Sequence, residues 1–219
     1  MPQPPHVSRL PIPPEGRLDA DLRRYFEVCR ERLGLLPNVL SALSLKPGRL
    51  RNFISTYNEI MLGKDSRLSP LEREMIAVVV SSHNRCYYCL VAHGQAVREL
   101  SGDPELGEML VMNHRVARLP PRQRAMLDFA WKLTASPGEV GDADRRALRR
   151  AGFGSGDIYD ISEIVGLFNL TNRMAMGLDM MPNREYHAMN RTAAETGGGR
   201  PRGGRKTRRK TAGKTAKSR

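Results

Sequence analysis

Long apolar runs are missing from this chain of 219 residues. No stretch approaches the roughly 18 consecutive apolar residues that a membrane-spanning helix needs. The opening MPQPPHVSRLPIPPEG is rich in proline and lacks the apolar core of a secretory signal. A cytoplasmic protein with no membrane association is the resulting expectation. Aromatics are scarce at 5%, with a single Trp, whereas Met is plentiful at 11. The core must therefore be built from Leu, Val, Ile, Ala and Met. Alternating strand-like patterns are also scarce, which favours helices over sheets. Only three cysteines occur. Three thiols in a reducing compartment do not make a structural disulfide framework, and a close pair there reads as redox-active or metal-binding.

Positive charge is abundant, at +13 overall, but unevenly placed. The segment from Arg191 onward holds 11 of the 36 Lys and Arg residues and one of the 23 Asp and Glu residues. The preceding chain is thus nearly balanced, at +3. Three regions follow: a Pro-rich arm over residues 1–16, a folded domain over 17–190, and a basic tail over 191–219. The tail has almost nothing apolar to bury, so disorder is expected there.

Within the domain, apolar residues recur at steps of three and four. Leu22, Tyr25, Phe26, Cys29 and Leu33 mark a first helix over about 18–33, with Cys29 a core thiol inside the stripe. Pro37 to Leu45 and Pro47 to Leu62 are the next candidates, with Gly63 placed for a C-terminal cap. Ser69-Pro70-Leu71-Glu72 combines an N-cap serine, a proline at the first helical position and a glutamate that closes a capping box. It predicts a helix from Pro70 to about Asn84, although the three valines before Ser81 would also suit a strand. Further helices are expected from Cys86 to about Leu100, after Asp103-Pro104, over Pro120–Ala135, over Asp142–Ala151 and over Gly156–Leu178. Tyr186 falls in a final short turn. The fold class is all-α, with about eight helices.

The chemistry concentrates at Cys86-Tyr87-Tyr88-Cys89 and His93. On one helix, positions 86, 89 and 93 share a stripe, so two thiols and an imidazole face the same way. Glu74 lies on the preceding helix. If the chain turns near Asn84–Arg85 and the two helices pack antiparallel, Glu74 comes opposite His93. A carboxylate there fixes the tautomer of the ring, which then serves as base for a thiol one turn away. Activation is needed because a thiol with a pKa of ~8.5 is only about 3% thiolate at pH 7. The start of the second helix adds a favourable dipole at Cys86.

Two classes of chemistry remain open on these residues alone. The pair can cycle between dithiol and disulfide. Alternatively, Cys86, Cys89 and His93 can hold zinc, with His83 or Glu74 as fourth ligand. Tyr87 and Tyr88 read as packing residues, and His83 as a residue of the helix C-terminus. His114 and His187 have no identifiable partner in the sequence.

The string Glu74-x11-Cys86-x2-Cys89-x3-His93 resembles the signature of the alkylhydroperoxidase D (AhpD)-like proteins, within the carboxymuconolactone decarboxylase superfamily. The all-α organisation over about residues 8–190 is similar to that of its peroxidase-related members. Tyr88 stands where the best-known AhpD pattern has a His. The resemblance implies a thiol-dependent peroxidase that reduces hydrogen peroxide or organic hydroperoxides without a cofactor. Cys89 would attack the O–O bond, Cys86 would resolve the sulfenic acid to a disulfide, and an external dithiol reductant would restore the pair. His93, supported by Glu74, would be the general base. A homo-oligomer, often trimeric or hexameric, is also implied. Decarboxylase members lack the CxxC pair, so lactone decarboxylation is not expected. The basic tail over 191–219 opens a different reading, a DNA-associated redox sensor whose arm binds phosphates without sequence preference.

Overall fold

The structure is a computed structural model that describes residues 3–192. Among these residues it contains nine α-helices and no strand. The helices are α1 (Ala20–Leu33), α2 (Asn38–Leu43), α3 (Pro47–Leu62), α4 (Pro70–Asn84), α5 (Tyr87–Ser101), α6 (Pro104–Asn113), α7 (Pro121–Ala135), α8 (Asp142–Arg150) and α9 (Ser155–Gly177). Short 3-10 turns sit at Glu15–Arg17, His114–Val116, Pro137–Glu139 and Arg184–His187. The last of these covers Tyr186, as expected. From residue 193 on, the basic tail lies outside the described residues.

The centre is α4, which packs against α3, α5, α6, α7 and α9. Its run Met75–Val80 is fully buried on every side. That surround explains why the valine run is helical: a helix enclosed by neighbours is apolar all round and loses the amphipathic pattern. The cap decides the conformation. Ser69 Oγ accepts from the Glu72 N–H at 3.2 Å, and Glu72 Oε2 accepts from the Ser69 N–H at 2.9 Å. Three consecutive buried charges follow, each with partners. Arg122 Nε donates to Glu72, Arg73 donates to the Leu68 and Met61 carbonyls, and Glu74 pairs with His93.

A second apolar cluster joins α1, α2 and α3 through Leu22, Phe26, Cys29, Leu40 and Leu50. Cys29 is a core thiol, as its place in the stripe predicted. Gly63 ends α3, but at φ −58° rather than in the left-handed region. Glycine fits there for another reason: a Cβ would overlap the Glu59 carbonyl oxygen.

The Pro-rich arm is extended but not detached. It runs antiparallel along residues 178–182, with Arg9 N–H donating to the Leu178 carbonyl and Met181 N–H to the Val7 carbonyl. The Gln3 amide donates to the Pro182 carbonyl at 2.8 Å. No described helix is long and apolar enough to cross a membrane.

Candidate active site

The chain between α4 and α5 is two residues long, Arg85 and Cys86. Arg85 adopts the left-handed conformation, φ 56°, and the Cys86 N–H donates back to the Ser81 carbonyl at 3.0 Å. This reverses the chain and makes α4 and α5 an antiparallel pair. Cys86 becomes the N-cap of α5 and Cys89 lies in its first turn. Both thiols are buried, in a pocket of Ala42, Tyr88, Ala175 and Met180. Their sulfurs lie 2.8 Å apart.

At that distance the two sulfurs share one proton in the singly ionised state. The hydrogen bond from Cys89 holds the Cys86 thiol below its usual range, against the opposing effect of burial. The backbone N–H of Cys89 and the charge of His93 act in the same direction. The Cys89 thiol is correspondingly pushed far up, by its bond to Cys86 and by burial. Of the two sulfurs, Cys86 is therefore the one that loses its proton first, and Cys89 the one that keeps it.

Glu74 meets His93 as the hairpin predicts: His93 Nδ1 is 2.7 Å from Glu74 Oε2, with both side chains mostly buried. A carboxylate can only accept, so Nδ1 carries the hydrogen and Nε2 is the basic nitrogen. Phe168 packs its ring at right angles to the imidazole, 4.7 Å between centroids, and Tyr57 closes another side at 6.5 Å. Burial, with the Glu74 charge beside it, drives the Tyr57 phenol well up and keeps it neutral. Among the described residues no direct hydrogen bond joins His93 to either sulfur; their link is electrostatic, through Cys86.

The zinc alternative gains no support from this arrangement. Among the described residues no three His, Cys, Asp or Glu side chains are grouped to hold a metal ion. His83 packs edge-on against Trp131, 4.9 Å between centroids, and Glu74 is committed to His93. The remaining residues singled out from the sequence sort as follows. Tyr88 is buried, and its hydroxyl accepts from the Val39 N–H. Tyr87 is exposed, and its hydroxyl meets His187 at 3.3 Å. His114 is buried and pairs with Asp128 at 3.1 Å.

Sequence reasoning missed Ser81, Asn84 and Asn172. Ser81 and Asn172 are both fully buried, and Asn172 Nδ2 donates to Ser81 Oγ at 3.0 Å. A signal was available. Beyond the first turn of α9 the buried positions are Ile161, Ile164, Val165, Leu167, Phe168, Asn172 and Ala175, and Asn172 is the one polar residue among those seven.

Comparison with known proteins agrees with this architecture. The carboxymuconolactone decarboxylase family model matches residues 49–106, which hold all four candidate residues. A solved structure described as an uncharacterized peroxidase-related protein from Silicibacter sp. TM1040 is 55% identical, with a TM-score of 0.83. The match covers 87% of this chain and all of that one. The chain belongs to the AhpD-like, carboxymuconolactone decarboxylase superfamily. A second AhpD-like structure, described as an alkylhydroperoxidase AhpD core and uncharacterized peroxidase-related protein from Ralstonia eutropha JMP134, is 40% identical. Its TM-score is 0.83, over 86% of this chain and 99% of that one. The apo debrominase Bmp8 shares the fold at a TM-score of 0.68 and 19% identity, covering 84% of this chain and 96% of that one. A search of the curated proteins finds no match. Membership points to an enzyme with an oxidoreductase theme, and the fold is that of the AhpD-like proteins.

Proposed function

We propose that this protein is a thiol-dependent peroxidase of the alkylhydroperoxidase type, reducing hydrogen peroxide or organic hydroperoxides. The observation that carries the reading is the buried Cys86–Cys89 pair at 2.8 Å, on the same helix as a histidine held by a carboxylate from across the hairpin. The peroxidase-related naming of two relatives at 55% and 40% identity supports it. The debrominase supports the fold alone.

Earlier ionisation of Cys86 and an attack by Cys89 are compatible, because one proton transfer along the S–H–S bond moves the charge from one sulfur to the other. With the proton on Cys86, the Cys89 thiolate attacks the terminal peroxide oxygen and the O–O bond breaks. Cys89 becomes a sulfenic acid and the departing alkoxide or hydroxide takes a proton from His93. His93 then removes the proton of Cys86, whose thiolate attacks the Cys89 sulfur. Hydroxide leaves as water with that same proton, and a disulfide remains. An external dithiol returns two electrons and two protons by thiol–disulfide exchange. No cofactor enters these steps.

The test is peroxide consumption with a dithiol donor, combined with mass measurement of the oxidised chain. Cys89→Ser abolishes turnover. Cys86→Ser stops after one equivalent and leaves a sulfenic acid that a dimedone-type reagent captures. Full turnover by both variants would show that the pair is not the reacting centre.

The assembly reading also stands as a proposal, a homo-oligomer. On α9, Tyr159, Leu170 and Met174 are exposed, and the last two are one turn apart on the same face. Light scattering of the eluting protein measures the subunit count.

A further inference from the structure

Beside the thiol stripe of α5 runs a second one, Tyr87, Leu90, Gly94 and Arg98, at the same helical spacing. Between this stripe, α6 and the C-terminal turn at Arg184–His187 lies a pocket of about 270 Å³. Its walls are mainly apolar, with Leu90 and Val91 from α5, Val111 and Met112 from α6, and the half-exposed Tyr87. Met112 is 78% exposed, more than any other large apolar side chain among the described residues.

One buried charge lines this apolar space. Arg98 is only 5% exposed. A guanidinium has five N–H donors and no acceptor. Nη2 donates to the Tyr186 carbonyl at 2.9 Å and to the Met189 carbonyl at 3.0 Å, and Nε donates to the Met189 carbonyl at 3.2 Å. The two hydrogens of Nη1 have no partner among the described residues. No sealed side-chain nitrogen or oxygen lacks a partner among those residues, so Nη1 opens to solvent. A Cβ at Gly94 would lie 3.9 Å from Nη1 and 3.2 Å from Val111 Cγ2, which sets Nη1 beside the pocket wall. The stem has a fitted seat: a Cβ at Gly107 would come within 2.7 Å of Arg98 Cγ, so α6 has no side chain there.

The charge itself is left over. Glu108 is the one acidic residue of the lining, and Arg191 holds it at 2.6 Å. Burial, and then the Arg191 charge, press the Arg98 guanidinium below its usual range. Anchoring the Tyr186 and Met189 carbonyls needs donors but no charge. A buried cation without a counter-ion is costly to hold, and an arriving anion removes that cost.

We propose that this pocket binds a small monocarboxylate with an apolar body, its carboxylate on Arg98 Nη1 and its body against Leu90, Val91, Val111 and Met112. The volume equals that of about nine waters at ~30 Å³ each, which suits a medium-chain fatty acid or a one-ring aromatic acid. The carboxylate accepts the idle hydrogens in a largely dry setting, where charge-assisted bonds are strong. The site is separate from the Cys86–Cys89 chemistry and does not rest on the peroxidase reading.

Calorimetric titration of the full-length reduced protein tests this with three probes: octanoate, octanol of the same chain length, and inorganic phosphate. Octanoate binds once per chain, at least about tenfold more tightly than either of the others. Arg98→Gln keeps donors for the carbonyls but removes the charge; it weakens octanoate at least about tenfold and leaves octanol unchanged. Met112→Glu places a like charge on the wall at an exposed position, where folding is not at stake, and weakens octanoate severalfold. Octanoate also raises the melting temperature of the wild-type protein in proportion to its occupancy. Equal affinities for octanoate and octanol would mean a merely apolar surface and overturn the proposal. So would phosphate binding as tightly as octanoate, an octanoate affinity unchanged in both variants, or no octanoate binding at millimolar concentration.

Discussion

His93 Nδ1 and Glu74 Oε2 stand 2.7 Å apart, one from each helix of the hairpin that carries the thiols. Because the carboxylate accepts the Nδ1 hydrogen, the basic nitrogen is Nε2. Glu74→Gln substitutes a group that can present either an oxygen or an NH2, so the ring loses its fixed tautomer. Peroxide consumption at saturating dithiol is expected to fall on the order of tenfold, in line with other outer partners of a reactive imidazole. His93→Ala removes the base itself and should cost about 10²-fold near pH 7. The loss in His93→Ala shrinks as pH rises, since solvent then takes the proton. A pH–rate profile of the three proteins checks both expectations.

The thiol pair makes a second prediction, about stability. Cys86 is held below the ordinary value of 9.0 and Cys89 is pushed above it. Between the lowered value and about 9, the folded chain has lost one proton while the unfolded chain keeps both. Stability therefore rises with pH across that window. Above about 9 the unfolded thiols both ionise while the folded pair keeps its shared proton, so stability falls. Urea unfolding of the reduced protein should show this local maximum near pH 9. The double variant Cys86→Ser/Cys89→Ser should lack it.

A third prediction concerns the central helix. Ser69→Ala removes the side-chain half of the capping box at the start of α4, the helix at the centre of the main core. The loss is about 1 kcal/mol, read as a lower urea midpoint at unchanged slope. Ser69→Asp, another good cap, should recover most of it.

Much of this was written in local sequence. The Ser69-Pro70-Leu71-Glu72 cap fixed α4 as a helix against the β-leaning valines, and Glu74, Cys86, Cys89 and His93 follow from spacing plus one hairpin. What stayed illegible depends on contacts between distant segments. Asn172 is 83 residues from Cys89, and its partners Asn84 and Ser81 are ordinary polar residues near a helix end. The Pro-rich arm was equally opaque. Its composition says extended, but only the backbone groups of residues 178–182 say where it docks.

That docking makes the last prediction. The cover over the sulfurs includes Ala42 of α2, Ala175 in the last turn of α9 and Met180 just beyond that helix. Residues 178–182 are held from one side by the arm, through Gln3, Val7, Ser8 and Arg9, and from the other by Asn38, whose amide donates to the Met181 carbonyl at 2.9 Å. His6 adds a contact with Asp179 at 2.9 Å. Each net hydrogen bond is worth about 0.5–1.5 kcal/mol, and several in series keep the cover shut most of the time. Deleting residues 1–10 should leave the helical core intact, because the main apolar cluster lies on α3 to α9. It should speed alkylation of Cys86 and Cys89 severalfold, while Cys29, buried between α1 and its neighbours, keeps its wild-type rate. Peptide-resolved labelling at a single pH reads all three thiols in one experiment. Equal rates with and without the arm would mean that reagents reach the sulfurs by another route.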